Sequence, residues 1–249
     1  MATTMTLSEL MVATRQRADM LPTGYTPSLS STDYFVSDPE LISYINQSYF
    51  ELYDLLITLY EDYYIQAPLI FQTNGTDSQY PLPNDFYKLM GVDLGLASTT
   101  NAWVTIKKFD FIARNRYVYP QLTSTYLGVF NLRYRLVGNN LMFIPTPSAG
   151  QYVRMWYIPT LTTLSALSST VQGISGWTEY VICDAAIKCG QKEETDVSVL
   201  MAQKMALIKR IEASGMNRDA GQPDTISDIR SFSERWGGYG STEGMGGGW

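Results

Sequence analysis

Residues 38–66, DPELISYINQSYFELYDLLITLYEDYYIQ, carry the longest continuous helical pattern in the chain. Ser37 and Glu40 stand three apart with Pro39 between them, the layout of a capping box with proline in the first turn. Leu41, Ile45, Tyr49, Leu52, Leu56, Leu59 and Tyr63 then recur at steps of three and four, which predicts one wide apolar face. Pro68 forces the chain out of the helix. At ~1.5 Å per residue the element would span about 40 Å. A helix of that length with tyrosines around it is expected to bury a second face against another subunit. Tyr44, Tyr49, Tyr53, Tyr60 and Tyr63 are the interface candidates.

Working outward, Thr6–Asp19 reads as a short amphipathic helix with a second capping box, Thr6 and Glu9. Leu7, Leu10, Met11 and Thr14 or Ala18 form its inner face, and Arg15 and Arg17 read as a solvated end facing the negative pole of the helix dipole. Leu21–Thr32 is a Pro/Ser/Thr-rich loop, and Val36 is placed to act as a hydrophobic staple.

From Pro68 the period changes from helical to extended. Leu69–Thr73 and Gln79–Leu82 flank a turn centred on Asn74-Gly75. Phe86–Ala97 reads as a glycine-interrupted strand, Trp103–Lys107 as another, and Phe111–Tyr117 as a helical turn. Tyr126–Val137 and Leu141–Ile144 make a hairpin about Gly138-Asn139-Asn140, and Tyr152–Ile158 closes the region. Short strands at this spacing predict a small antiparallel sheet or barrel-like unit. Leu161–Gly176 reads as a low-charge linker. Trp177–Gly190 is a helix with Gly190 as C-cap. Thr195–Ser214 is a further helix whose apolar face takes Val197, Leu200, Met201, Met205 or the stem of Lys204, Ile208 and Ile211.

The expected fold class is therefore α+β: a helical bundle core with an inserted small antiparallel β domain and an extended C-terminal arm. Residues 1–66 and 161–215 supply the helices, 67–160 the insert and 216–249 the arm. The arm holds eight glycines and widely spaced aromatics, so it cannot build a core of its own. It suits a segment that orders on a partner, with Phe232, Trp236, Tyr239 and Trp249 as anchors.

Composition narrows the function. The chain has no histidine, which removes the usual general base, the commonest metal ligand and the Ser-His and Cys-His pairs. Cys183 and Cys189 lack metal or redox spacing, the glycine-rich tail lacks the strand and helix of a phosphate loop, and Asp77, Asp85 and Asp93 do not make a calcium loop. No catalytic, metal or cofactor site is expected. No apolar run approaches the ~20 residues of a membrane span, and no signal-peptide layout opens the chain. With 18 Lys+Arg against 24 Asp+Glu, the balance argues mildly against a tight grip on nucleic-acid phosphates. The 18 tyrosines suit extensive subunit contacts.

Three segments also carry a resemblance: FVSDPELISYINQSYFELYDLLITLYEDYY, FQTNGTDSQYPLPNDFYKLMGVDL and RDAGQPDTISDIR. In this order they resemble the head-to-tail adaptor proteins of tailed bacteriophages, podovirus adaptors in particular. The resemblance implies a structural virion protein at the head–tail junction, made in the host cytoplasm. Such adaptors form a homo-oligomeric ring, a dodecamer, beneath the portal protein. They extend the channel through which genomic DNA passes without sequence-specific binding, and they offer a docking surface to a tail tube or nozzle protein. The helical core would form the ring, so the five tyrosines become ring-interface candidates. The arm would pack on the portal through Arg218, Asp219, Pro223, Ile226, Ile229 and Arg230, with Phe232, Trp236, Tyr239 and Trp249 as its extension. A rival reading is a tail-associated binding module whose β region stacks carbohydrate or receptor groups on Trp103, Trp156 and Tyr157.

Overall fold

The computed structural model describes residues 5–60, 65, 67–95, 102–117, 132–171 and 177–216. Tyr63 and the arm residues 217–249 lie outside this set. The fold is α+β, with four α-helices and two four-stranded sheets among the described residues.

Helix α1 (Leu7–Arg17) begins with the capping box expected of it. The Glu9 amide donates to the Thr6 hydroxyl, and Glu9 accepts from the Thr6 amide. Helix α2 (Asp38–Leu59) has 22 residues, or ~33 Å at ~1.5 Å each, shorter than its periodicity predicts. Ser37 is its N-cap, but the serine side chain makes no capping bond. Helices α3 (Thr178–Lys192) and α4 (Ser198–Met216) complete the helical unit. One apolar cluster joins all four through Leu10, Leu41, Leu52, Val181 and Ile211 among others. Val36 is buried in it, as a staple should be.

Residues 161–171 of the stretch read as a linker are bound to the helices. Asn46 on α2 clamps Leu164 from both sides: its Nδ2 donates to the Leu164 carbonyl at 3.1 Å and its Oδ1 accepts from the Leu164 amide at 2.8 Å. Thr170 bridges to Thr6, and Leu164 and Val171 are buried in the helical core. The insert thus returns to the helices along a fixed track.

The insert contains β1 (Leu69–Gln72), β2 (Gln79–Pro81), β3 (Phe86–Gly95), β4 (Trp103–Thr105), β5 (Lys107–Lys108), β6 (Arg133–Val137), β7 (Asn140–Ile144) and β8 (Tyr152–Pro159). One sheet runs β1-β8-β3-β4 and the other β2-β7-β6-β5. The two share a core to which Val92 and Met155 contribute from the first sheet, and Tyr134 and Phe143 from the second. All pairings are antiparallel except β5–β6, which is parallel. The β6–β7 hairpin forms as expected, with Gly138 at φ +57° in its turn.

The Asn74-Gly75 turn forms, but its flanking strands do not pair. β1 joins β8 and β2 joins β7, so the turn carries the chain from one sheet to the other. Gly75, at φ +81°, is required there, because a Cβ would lie 2.8 Å from the backbone and side chain of Ala149. Gly190 is not a C-cap. It sits inside α3 where the chain doubles back, and a Cβ on it would meet Val197 at 2.7 Å and Thr195 at 2.9 Å.

Candidate interaction surfaces

Three of the five tyrosine candidates are used inside the subunit. Tyr49 is buried in the helical core. Tyr60 stacks on Trp177 and donates to the carbonyl of Ile211 at 3.1 Å. Tyr53 forms the seam between helices and insert: it packs with Ile57 against Ile158 and donates to the Pro159 carbonyl at 2.6 Å. Burial, and then its neighbours Tyr49, Tyr87 and Asp54, push the Tyr53 hydroxyl up to about 12, so it stays a donor at neutral pH. Of the three, the α2 periodicity marked only Tyr49 as apolar-facing, and the wide face is filled by α1, α3, α4 and the insert. Tyr44 is half-buried, its hydroxyl donating to Glu40, and keeps an outward edge.

Arg15 corrects the reading of α1. Its side chain is 2% exposed and pairs with Asp38 at 2.8 Å. The guanidinium packs on the rings of Tyr25 and Tyr34, 4.8 and 4.7 Å from their centroids, and donates to the Val36 carbonyl. Asp38 also accepts from the Tyr25 hydroxyl and the Ser28 amide. The Leu21–Thr32 loop is therefore wound onto the start of α2 by one buried carboxylate. Arg15 follows Met11 at four residues, on the inner face, and that spacing is the signal in the sequence.

A second buried carboxylate, Asp184 on α3, ties α2, α3 and α4 together. It accepts from Lys204 at 2.6 Å and Ser48 at 2.6 Å and pairs with Lys188 at 2.8 Å. Burial alone would raise this carboxyl; the Lys188, Lys204 and Ser48 bonds outweigh it and hold it below the usual range. Glu51 bridges the same two lysines from α2.

Lys204 sets the rotation of α4. With Lys204, Leu207, Ile208 and Ile211 facing inward, Met201 and Met205 turn out to solvent instead of in. Met201 is 45% exposed and Met205, one turn on, 58% exposed, so α4 presents an open apolar stripe.

The aromatics of the rival reading have other duties. Tyr157 is buried and stacks on Phe86. Arg154 covers both tryptophans, at 4.4 Å from Trp103 and 5.1 Å from Trp156. Arg154 and the Trp156 indole both donate to Asp93, and Thr105 donates to its other oxygen, so the cluster pins β3, β4 and β8.

Charge is segregated in a way the chain total conceals. Residues 67–160 carry eight Lys or Arg against four Asp and no Glu, a net +4, while the rest of the chain carries ten against twenty, a net −10. Six of those eight cations fall between 107 and 135, with Asp110 the single acid there. On the structure Lys107 and Lys108 are exposed on β5, and Lys107 is in register with Arg133 on β6. Tyr134 points into the core, so Arg133 and Arg135 lie together on the outer face. Arg114 and Arg135 both reach the ring of the exposed Phe111, at 4.8 and 5.9 Å, and Ile112 beside it is 90% exposed. Counting charge by segment would have found this surface.

Among the described residues no cluster of Cys, Asp and Glu could hold a metal ion, and no helix is long and apolar enough to cross a membrane. The arm residues from Arg218 to Trp249 lie outside the described set. No curated protein matches the sequence significantly. The model of the SU10 adaptor protein family matches residues 5–219, which takes in all four helices and the whole insert. The chain therefore belongs to the SU10 adaptor protein family and is a structural adaptor protein of phage virions, not a member of an enzyme class.

Proposed function

We propose that this adaptor forms a ring beneath the portal, extends the DNA channel and supplies the surface to which the tail attaches. The family match over residues 5–219 carries the reading. The podovirus-like resemblance makes the ring a dodecamer that joins after genome packaging and serves DNA ejection.

The helical unit is the ring-forming part. Because Tyr49, Tyr53 and Tyr60 are occupied inside the subunit, the contact with a neighbouring copy falls to Tyr44, Tyr63 and the outward stripe of α4. The C-terminal arm docks on the portal through Arg218, Asp219, Pro223, Ile226, Ile229, Arg230 and the aromatic extension Phe232, Trp236, Tyr239 and Trp249. The family match ends at residue 219, so the arm from Ala220 onward lies outside it. Ordering the arm is costly on the free subunit and is offset only on the portal, which ties ring formation to a filled head. Several tethered arms in one ring then add avidity.

Removal of residues 217–249 is the test. The truncated protein should keep its circular-dichroism spectrum and thermal midpoint and lose portal binding in sedimentation. Portal binding at full strength by the folded truncation would rule the arm out as the anchor.

A further inference from the structure

We infer that the exposed β5–β6 edge, where Lys107, Lys108, Arg114 and Arg135 gather, is a contact surface for the phosphate backbone of double-stranded DNA. The charge pattern carries the inference, and it stands if the portal reading fails.

The surface is built as a row. Lys107 pairs in register with Arg133, and Arg135 follows two residues along the same face of β6. Same-face positions on a strand repeat at ~6.7 Å, close to two nucleotides of axial rise at ~3.4 Å each. Arg114 and Arg135 are restrained over the Phe111 ring, so guanidinium groups are held ready. The acid Asp110 lies 3.8 Å from Arg135, and both side chains are largely exposed, which makes this a weak pair that a phosphate can displace. The sequence of residues 118–131 holds no charged residue of either sign. A run of like charge along a strand edge fits a uniform linear polyanion. Ile112 and the exposed edge of Phe111 are the features here that an apolar protein contact would use.

The chain's net charge of −6 sets the expected behaviour. The helical acids repel DNA, so contact is local, weak and independent of base sequence. With about four phosphates neutralised, affinity should fall on the order of 100-fold between 50 and 200 mM salt.

The test uses the full-length chain and a labelled duplex of about 30 base pairs, followed by fluorescence anisotropy across that salt range. Two duplexes of unrelated sequence should bind equally. Lys107→Gln with Lys108→Gln should lower the salt slope by about two, and Lys107→Glu with Lys108→Glu should weaken binding at least tenfold at 50 mM salt. Lys107→Arg with Lys108→Arg should bind like the parent, and all variants should keep the parent's thermal midpoint. No saturable binding at 50 mM salt would overturn the inference, as would an unchanged affinity in the folded charge-reversal variant. Tighter binding of polyglutamate than of DNA would overturn it in favour of an acidic protein partner.

Discussion

The helical unit and the β insert meet at Tyr53 and Ile158, yet they are held together by different means. In the helices, separate elements are tied by buried carboxylates: Asp38 binds a loop to α2, and Asp184 joins three helices. In the insert, continuous strand pairing does most of that work, and Asp93 reinforces a β3–β8 ladder that already runs the length of both strands. The units also carry opposite charge, −10 outside the insert and +4 within it. A carboxylate that replaces a missing ladder should matter more than one that supports an existing one.

The largest expected effect is Asp38→Ala. It leaves the buried Arg15 without its anion, and loss of one partner of such a pair costs about 3–5 kcal/mol. Chemical denaturation should show the drop, while Asp93→Ala should cost less, about 2 kcal/mol, since Arg154 is partly exposed and keeps its stacking on two tryptophans. Equal losses in the two variants would break the contrast. Asp184→Ala should fall between them, at about 3 kcal/mol, because Lys188 and Lys204 reach solvent once released.

Acid should weaken both units. The Asp184 and Asp93 carboxyls are held below their ordinary value of 3.8; for both, burial works in the opposite direction and is outweighed by the bonds they accept. A depressed folded value means these groups stabilise the fold above pH 3.8 and lose that contribution as pH falls through the folded values. Thermal midpoints should be flat with respect to these groups from pH 7 to 5 and drop below about 4. A drop that begins above pH 5 would assign acid sensitivity to other groups.

Gly190→Ala sharpens the picture of α3. Alanine inside a helix ordinarily gains about 1 kcal/mol over glycine. Here the methyl runs into Val197 and Thr195, so a net loss of about 1 kcal/mol is expected in thermal denaturation. The smallest stability change belongs to Met205→Glu on the open stripe of α4, within about 0.5 kcal/mol, although self-association on the portal should fall sharply. A ring that assembles normally with that glutamate would move the interface elsewhere.

Much of the fold is legible in the sequence where a local rule decides. Thr6 and Glu9 cap α1, Gly138-Asn139 turns a hairpin, and the inner face of α1 is right at Leu7, Leu10, Met11 and Thr14. The misreadings occur where a distant partner decides. Asn74-Gly75 specifies a reversal of the chain, but which strand β1 joins depends on β8, some 80 residues away. Arg15 looks solvated until Asp38 is brought to it. Met201 and Met205 fit a helical stripe as well as Lys204 does, and only Asp184 across the interface selects the lysine. The interface candidates show the same limit: a tyrosine periodicity reports burial without saying whether the covering surface belongs to the same chain. The basic face of the insert was obscured by averaging charge over the whole sequence.

The most direct measurement is mass photometry of the purified chain, alone and mixed with the portal protein of the same virion. Single subunits of about 28 kDa alone, and a complete ring only on the portal, are the expected result. Failure to associate with the portal under any condition would contradict the adaptor ring.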